Sequence, residues 1–588
     1  MSRIDFTPSQ KAAIERRGSA VLVSAGAGSG KTRVLTERLM RRLEDGGDID
    51  SFLVITFTRA AAAELKGRIM GSLAEKAAED PANRHLRRQS ALCRRAPIQT
   101  IDGFCAELLR QNCHLLGLAP DFRVVEDDRA AQMKAAALER TMEDCYAHAE
   151  AHPGFLALAD TVGAGRDDQR LCDLVLDLHG KMQCHARPDR WAERMIEQLR
   201  APVSDVAETP WGRELMEDLG GRADYWAGEM ERVLALADAD KKTKKCYGAS
   251  IAAGAEQLRE FSRALRLGWD RARECPLAFK RVGYVKNPDD PELTEYVKAR
   301  RADCMEECKK IRKVLASPSE ALLAGMALTH DAMEALLRLT LDFDAEYVRS
   351  KRRASLLDYS DLEHLAARLL TDENGQPTAF AREVSARYTE IMVDEFQDVS
   401  RVQDAIFRAL SRGGRNLFMV GDVKQSIYRF RLADPEIFIK KYESFRDDEE
   451  AAEGEERRIL LRENFRSRRE ILSAANAVFS ACMSKALGDV DYDEAAELRF
   501  GARYYQGERD VPELLLYGAA AAEDEDETPD RLAYEADQTA RRIERMLREG
   551  RTVTTPEGER PLRCGDIAIL LRTVANTAPV FRDRKSVV

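Results

Sequence analysis

Short apolar runs alternate with amphipathic segments along the first 60 residues of the chain. The stretch AVLVSA (20–25) is almost continuously apolar, and a glycine-rich turn separates it from KTRVLTERLMRRL (31–43), whose apolar residues recur at helical spacing. A second apolar run, FLVITFT (52–58), follows. Strand, helix and strand in this order form a βαβ unit, whose two strands are parallel. The pattern therefore predicts an α/β fold around a parallel sheet.

The pattern changes between residues 126 and 345, where long charged segments with helical periodicity replace the apolar runs. Strand patterns return at YTEIMVDEFQD (388–398) and NLFMVGDVKQ (416–425), and each of them ends in polar residues. We therefore expect a large helical insertion, after which the first sheet resumes over residues 346–445.

The length of 588 residues predicts several domains, since a single core rarely serves more than about 250 to 300 residues. A further region is expected over residues 446–588, ending with GDIAILLRT (565–573) as a strand. Hydrophobic residues make up 44% of the chain and charged residues 33%, which is typical of globular proteins. No apolar run approaches the roughly 18 residues of a membrane span. We expect no membrane segment.

The N-terminus, MSRIDFTPSQ, lacks the apolar stretch of a secretory signal, and the twelve cysteines are scattered along the chain. This usage favours a reducing compartment such as the cytoplasm. Cys304 and Cys308 lie four residues apart on a predicted helix without nearby cysteine or histidine partners, so no zinc or iron–sulfur site is predicted. The net charge of −10 leaves the partner open, because nucleic-acid binding needs a local basic stripe and not a basic average.

A phosphate-binding loop is predicted between the first strand and helix. Glycines in AGAGSGKT (25–32) let backbone N–H groups turn toward phosphate oxygens, Lys31 can bridge the β and γ phosphates, and the Thr32 hydroxyl can hold Mg²⁺. Ala25 stands where the strict pattern has glycine. The alternative is a glycine-rich turn that binds no ligand. The candidate nucleotide contacts are Ala25, Gly26, Ala27, Gly28, Ser29, Gly30, Lys31, Thr32 and Arg33.

Two adjacent carboxylates end the strand pattern IMVDEFQD. Asp394 suits a contact with Mg²⁺, and Glu395 can polarise the water that attacks the γ phosphate. Such pairs are common at strand ends on protein surfaces. Together with a phosphate-binding loop in the same predicted sheet, they indicate a nucleotide hydrolase.

The segment FTPSQ near the start of the chain carries Gln10, whose amide can both donate to and accept from an adenine edge, with Phe6 as apolar surface. The simpler interpretation is a helix start, since Thr7 followed by Pro8 is a favourable N-cap. Both interpretations can hold together.

The order of these motifs resembles that of superfamily-one DNA helicases of the UvrD/Rep class. The resemblance extends over TFTRAAAAELKGRI, QTIDGFC, VDEFQD, GDVKQSIYRFRLADP and ENFRS. More narrowly, VKQSIYRFRLADP, LLDYSDLE, DYDEAAEL and FRVVEDD are similar to the AddA family, the helicase–nuclease subunits of bacterial AddAB complexes. The resemblance implies a RecA-like motor domain at 1–125 and 346–445, a helical insertion at 126–345, and an incomplete second RecA-like domain at 446–588.

The resemblance also implies roles for individual residues. It places Gln10 and the loop residues on ATP, Asp394 and Glu395 on Mg²⁺ and water, and Gln425 and Arg466 on the γ phosphate, with Arg466 reaching from the second motor domain. It places single-stranded DNA against Phe57, Thr58, Tyr428, Phe430 and Arg431. Core packing is the alternative for the aromatic residues. Asp102 and Gly103 stand where relatives usually have His and Ser, which puts one contact with the DNA backbone in doubt. Phe465 stands where Tyr is common.

The function implied is an ATP-dependent 3′ to 5′ helicase or translocase in double-strand break repair and recombination. It would act on single-stranded DNA and duplex ends, with a nuclease and an AddB-type partner subunit. The alternatives are an ATP- or DNA-binding module that does not hydrolyse ATP, and a UvrD/Rep-type helicase without nuclease. Since no nuclease motif follows ENFRS, we expect the chain to be truncated relative to such a helicase–nuclease. The basic clusters at 241–245 and 309–313 are either DNA contacts or solvated helix faces.

Overall fold

The computed structural model divides the chain into two compact units, Met1–Gly507 and Glu508–Val588. It describes residues 6–163, 167–427, 433–488, 490–502, 511–516, 531–555, 558–573 and 577–583. No helix in these ranges is long and apolar enough to cross a membrane.

The strands are, in chain order, β1 (Val21–Ala25), β2 (Phe52–Thr56), β3 (Ile98–Thr100), β4 (Arg123–Val124), β5 (Leu356–Leu357), β6 (Glu390–Val393), β7 (Leu417–Gly421), β8 (Arg446–Asp447), β9 (Arg457–Leu461), β10 (Glu463–Asn464), β11 (Arg499–Phe500), β12 (Thr552–Thr555) and β13 (Gly558–Pro561).

The helices are α1 (Pro8–Glu15), α2 (Lys31–Glu44), α3 (Arg59–Glu79), α4 (Arg84–Leu92), α5 (Ile101–Gln111), α6 (Asp127–Ala147), α7 (Phe155–Gly163), α8 (Gln169–Met182), α9 (Pro188–Arg200), α10 (Pro210–Leu236), α11 (Lys241–Leu265), α12 (Trp269–Glu274), α13 (Pro291–Val314), α14 (Ser319–Arg353), α15 (Tyr359–Leu370), α16 (Ala379–Ala386), α17 (Arg401–Leu410), α18 (Pro435–Ser444), α19 (Arg469–Cys482), α20 (Lys485–Gly488), α21 (Arg531–Arg548) and α22 (Ala578–Asp583).

Seven described strands form one parallel sheet in the order β3-β2-β6-β7-β1-β9-β8. Alternate residues of the central strands β1, β2, β6 and β7 enter opposite cores. In β1, Val21 and Val23 pack with α2 and α3 on one face, while Leu22 packs with α5, α15 and α17 on the other. Both faces are buried, which explains why the strands are nearly continuous apolar runs in the sequence. The predicted α/β class and parallel sheet are confirmed.

The boundary predicted at residue 446 differs from the structure. Strand β9 lies inside the first sheet, where Val23 pairs with Ile459 in parallel, and β8 pairs with β9 at the edge. The strand completes the burial of β1, since Ile459 and Leu461 belong to the same core as Val21. The first sheet therefore extends to Leu461, about fifteen residues beyond the expected boundary.

The segment predicted as helical contains helices α6 to α14, and no strand lies between Val124 and Leu356 in the part of it that the structure describes. It has cores of its own, one around α10, α11 and α13 and another around α6, α7, α8 and α14. Strands β4 and β5 pair in parallel where the chain leaves for this segment and returns from it.

The second unit contains α21, the antiparallel hairpin β12–β13 and α22 among its described residues. The predicted strand GDIAILLRT is wrong. Its start forms a 3-10 turn at Cys564–Asp566, and the following residues pair with no strand in the described ranges. Leu570 is 93% exposed, so this apolar run is not packed into a core. An apolar run forms a strand only where a neighbouring strand pairs with its backbone N–H and C=O groups.

Candidate nucleotide-binding site

The predicted phosphate-binding loop lies between β1 and α2. Gly28 and Gly30 have φ angles of +70° and +85°, a region that residues with a Cβ adopt at a cost. Lys31 begins α2, and Thr32 follows in its first turn. The Ser29 hydroxyl is buried and has no hydrogen-bond partner among the described residues. A loop with this backbone and an unsatisfied buried donor fits a phosphate at the helix N-terminus.

Lys31 and Glu395 form an ion pair across the carboxyl edge of the sheet. The Lys31 ammonium donates to Glu395 Oε1 at 3.1 Å and Oε2 at 2.9 Å. Glu395 has a φ of +49°, and its N–H donates to Asp394 Oδ1 at 3.0 Å. A left-handed backbone at a non-glycine residue costs about 1–3 kcal/mol. This conformation turns the Glu395 carboxylate toward the loop.

Three carboxylates share this edge with one lysine. Burial, and then the neighbouring Glu395 charge, raise the pKa of Asp394 to about 6. The same two causes raise the pKa of Asp398 to about 6, and its buried Oδ1 has no hydrogen-bond partner in the described ranges. The local excess of negative charge suits a divalent cation, whose preferred ligands are such oxygens.

The side chain of Gln397 connects this edge to the segment after β7. Its Nε2 donates to Glu395 Oε2 at 2.8 Å, and its Oε1 accepts from the Asp422 N–H at 2.9 Å. It is 2% exposed. Sequence reasoning missed this residue. The available signal was an amide, able to donate and accept at once, between two carboxylates at the end of a buried strand.

Gln425 lies on the same hydrogen-bonded path. Its Nε2 donates to Asp422 Oδ2 at 2.8 Å, and Lys424 pairs with Asp422 Oδ1 at 3.0 Å. The path therefore runs from Glu395 through Gln397 and Asp422 to Gln425. The predicted DNA contacts Tyr428, Phe430 and Arg431 lie outside the described residues.

The ENFRS segment lies against the phosphate-binding loop. Asn464 Nδ2 donates to the Ala27 carbonyl at 2.6 Å, and the Phe465 N–H donates to the Gly28 carbonyl at 2.9 Å. Asn464 Oδ1 accepts from the N–H groups of Arg466 and Ser467. Asn464 is a second residue that sequence reasoning missed, since its partner Ala27 lies 437 positions away.

Arg466 is close to the loop within the first compact unit. A Cβ placed on Gly28 would be 2.9 Å from Arg466 Cβ and 2.7 Å from Asn464 Nδ2. A side chain at position 28 would therefore clash with Asn464 and Arg466, and the positive φ angle also favours glycine there. The expectation that Arg466 reaches over from a second motor domain differs from this placement, because the strand shortly before it, β9, pairs with β1.

Gln10 joins α1 to the loop. Thr7 caps α1, Gln10 Oε1 accepts from the Thr7 N–H at 3.0 Å, and Gln10 Nε2 donates to the Ser29 carbonyl at 3.0 Å. The predicted helix start is confirmed. It uses Oε1 of the Gln10 amide, while Nε2 binds the loop. The Arg33 guanidinium lies over the Phe6 ring at 4.6 Å.

A cavity of about 350 Å³ opens beside the carboxylates at the carboxyl ends of the strands. Phe57 and Thr58 line it together with Asp394 and Glu395. Phe57 is half-buried and belongs to neither buried core beside the sheet, which disfavours the core-packing alternative. Thr58 caps α3. The structure thus brings two of the predicted DNA contacts to the same cavity as the catalytic candidates.

The far wall of the cavity carries a second acidic pair, Asp102 and Glu363. Burial, and then the Asp102 charge, raise the pKa of Glu363 to about 8, and Gln403 Nε2 donates to Glu363 Oε1 at 2.6 Å. Burial also raises the pKa of Asp102. Asp102 stands where helicases of the resembled class have histidine, so this wall is acidic here.

The raised pKa of Glu363 predicts a stability that depends on pH. A carboxyl whose pKa is higher in the folded state stabilises the fold below its unfolded pKa, and this contribution is lost as the pH rises through about 8. We expect the free energy of unfolding to fall by about 1 kcal/mol more in the native chain than in Glu363→Gln between pH 7 and 9. Urea unfolding at several pH values measures this, with the exposed Glu373→Gln as control. Parallel pH profiles for all three proteins would contradict it.

The two basic clusters lie on helices of the helical segment with acidic partners. Lys242 pairs with Asp289 at 2.7 Å, and Lys309 pairs with Glu306 at 3.0 Å. Paired lysines on exposed helix faces favour the interpretation of solvated faces. Cys304 and Cys308 are buried in a helical core, where they pack as apolar residues.

Comparison with known proteins yields one family and several relatives. A family model described as the UvrD/REP helicase N-terminal domain matches residues 6–446. A protein of Alkaliphilus oremlandii is 36% identical over 98% of this chain and 48% of its own length, one of Acetivibrio thermocellus is 33% identical over 100% and 50%, and one of Desulforudis audaxviator is 36% identical over 99% and 49%. Each is named as one of the subunits of an ATP-dependent helicase/nuclease. The chain spans about half the length of these relatives.

Proposed function

This chain belongs to the UvrD/REP helicase family, and from this premise we propose that it is the ATP-driven motor part of a DNA helicase–nuclease. The observation that supports the proposal is the Lys31–Glu395 pair, in which a candidate phosphate ligand and a candidate base lie 3.1 Å apart. Both groups project from the carboxyl edge of one parallel sheet, the usual ligand edge of such sheets.

The nucleotide site is assigned to the loop at 25–33 together with Gln10. Bound MgATP would supply the phosphoanhydride whose hydrolysis drives the motor. Lys31 would neutralise phosphate charge, and Thr32 and Asp394 would hold Mg²⁺. When Lys31 turns to a phosphate, Glu395 loses its ion pair and can accept a proton from the attacking water.

Coupling to DNA would use the hydrogen-bonded path from Glu395 to Gln425. A change at the γ phosphate would reach Asp422 through the Gln397 amide, which is hydrogen-bonded to both Glu395 and Asp422. The segment after Gln425 continues into Tyr428, Phe430 and Arg431, to which we assign contacts with bases and backbone of single-stranded DNA. Phe57 and Thr58 would contact the same strand at the cavity. Arg466 would add positive charge at the γ phosphate.

The proposed activity is 3′ to 5′ translocation on single-stranded DNA from duplex ends, in double-strand break repair within the bacterial cytoplasm. The relatives are named as parts of a multi-subunit enzyme, which supports a partner of the AddB type for this chain. Their name also includes a nuclease, and we assign to the described residues the motor activity alone.

Single-turnover ATP hydrolysis with and without a single-stranded oligonucleotide tests the proposal. We expect Mg²⁺-dependent hydrolysis that single-stranded DNA accelerates, and faster displacement of a duplex with a 3′ overhang than of one with a 5′ overhang. ATP binding without hydrolysis would contradict the motor and support a binding module. An equal rate of ATP hydrolysis with and without single-stranded DNA would contradict the helicase assignment.

A further inference from the structure

Three side chains that are far apart in the sequence meet in the helical segment. Cys145 lies near the end of α6, His152 lies in the turn before α7, and Asp342 lies in the middle of α14. One potential ligand atom from each lies within 4.8 Å of the other two. All three line a cavity of about 280 Å³, remote in sequence from the loop and carboxylates of the nucleotide site.

The imidazole of His152 lies between two carboxylates. Its Nδ1 is 3.6 Å from Asp342 Oδ2, and its Nε2 is 3.8 Å from Asp144 Oδ2. Histidine ligands of metals commonly donate their second N–H to a carboxylate, which fixes the ring and its tautomer. With Nδ1 toward the cavity, Asp144 is placed for that role. An ion-pair cluster alone would account for the histidine and the carboxylates. The buried Cys145 thiol, whose sulfur lies within 4.8 Å of a ligand atom of His152 and of Asp342, adds a third possible donor.

The set of donors selects the kind of ion. A thiolate, an imidazole and a carboxylate together suit a borderline-soft cation, and three protein ligands leave a fourth tetrahedral position for water. We propose that Cys145, His152 and Asp342 form a zinc site. Ligand atoms around tetrahedral zinc lie about 3.3–3.8 Å apart, so the cluster would contract by about 1 Å.

The surroundings allow that contraction and give access to the ion. His152 lies in a turn, where the backbone adjusts more easily than in a helix, and the Asp342 side chain is 50% exposed. Cys145 is buried at the inner end of the cavity. Arg338 also lines the cavity, but it pairs with Glu334 at 2.8 Å, which moderates its repulsion of a metal ion.

Zinc at this position would join three elements of one core. The core that contains Cys145 is built from α6, α7, α8 and α14. A ligand that binds only the folded state stabilises it by an amount that grows with the logarithm of the ratio of free ligand to its Kd, so zinc above its Kd should stabilise this part of the chain. All four tryptophans lie between residues 191 and 269, so their fluorescence reports unfolding of the helical segment.

Zinc titration of the chelator-treated full chain tests the site. We expect one tightly bound zinc per chain, a higher unfolding temperature with zinc, and a thiolate-to-cobalt absorption band when cobalt replaces zinc. Cys145→Ser, His152→Ala and Asp342→Asn should each weaken binding by about 10- to 100-fold. Cys172→Ser is the matched control, since Cys172 packs beside the same core and should leave binding unchanged.

The variants also separate this site from adventitious binding at exposed cysteines such as Cys482 and Cys564. Equal zinc affinity in the native chain and in all three variants would overturn the proposal, as would a cobalt complex without a thiolate band. Should Cys145→Ser unfold, Asp342→Asn decides the question, because its half-exposed side chain changes without loss of packing. ATP hydrolysis need not be measured, so the result is independent of the proposed function.

Discussion

Replacement of Glu395 by Gln is expected to lower the rate of ATP hydrolysis by about 10²- to 10⁴-fold while ATP still binds. The amide keeps the shape of the side chain and can still accept from Gln397, whose Nε2 lies 2.8 Å from the carboxylate. It cannot take a proton from water. Single-turnover hydrolysis measures the chemical step, and equilibrium binding of a fluorescent ATP analogue measures affinity.

Two other variants serve as comparisons for Glu395→Gln. Lys31→Ala removes the cation that we propose to face phosphate, so it should weaken nucleotide binding as well as turnover. Glu383→Gln, on the exposed face of α16, should change neither. Near-native hydrolysis by Glu395→Gln would remove Glu395 from the role of base. Loss of binding in that variant would show that the carboxylate acts on ligand affinity and not on the chemical step.

Replacement of Arg38 by Ala is expected to cost about 3 kcal/mol of unfolding free energy. Arg38 is 1% exposed, pairs with Glu390 of β6, and donates to the carbonyls of Ala13 at 2.6 Å and Arg16 at 2.7 Å. The variant removes the Arg38 donor from both carbonyls, and the Arg16 carbonyl keeps its hydrogen bond from Arg42 Nη2 at 3.3 Å. Arg42 still pairs with Glu390 at 3.2 Å, which holds the cost at the low end of the range for a broken buried ion pair.

The measurement must report on the sheet, since the tryptophans lie in the helical segment. Hydrogen–deuterium exchange of peptides from β1, α2 and β6 as a function of urea gives the local free energy. Arg41→Ala is the matched control on the same helix, because the Arg41 side chain is 59% exposed and its partners among the described residues, Glu37 and Glu44, lie one turn away. An effect of Arg38→Ala no larger than that of the control would show that the buried cluster adds no net stability.

Much of the first sheet was predictable because its strands are buried on both faces. An apolar run followed by a glycine-rich loop and Lys-Thr, or directly by Asp-Glu, predicts a strand and a candidate site at the carboxyl end of that strand. Lys31 and Glu395 meet as those patterns indicate. The match to the UvrD/REP model over residues 6–446 confirms the family that the motifs suggested.

The features that sequence reasoning missed depend on which strands pair. The run RRILL predicts a strand but not its neighbour, so the place of β9 beside β1 was not evident, and with it the contact of Asn464 with Ala27. The interpretation of GDIAILLRT failed for a related reason, since an apolar run does not show whether a pairing strand is present. Cys145, His152 and Asp342 have no motif spacing, because packing of three helical elements and not local sequence brings them together.

Strands β4 and β5 hold the two ends of the helical segment next to each other. Arg123 and Val125 donate their N–H groups to the carbonyls of Ser355 and Leu357, so the helical segment leaves and rejoins the motor at adjacent points. A doubling of the length between two fixed points costs only about 0.6 kcal/mol of closure entropy. We therefore expect changes in the length of the helical segment to cost little closure entropy and to leave the Lys31–Glu395 edge of the sheet in place.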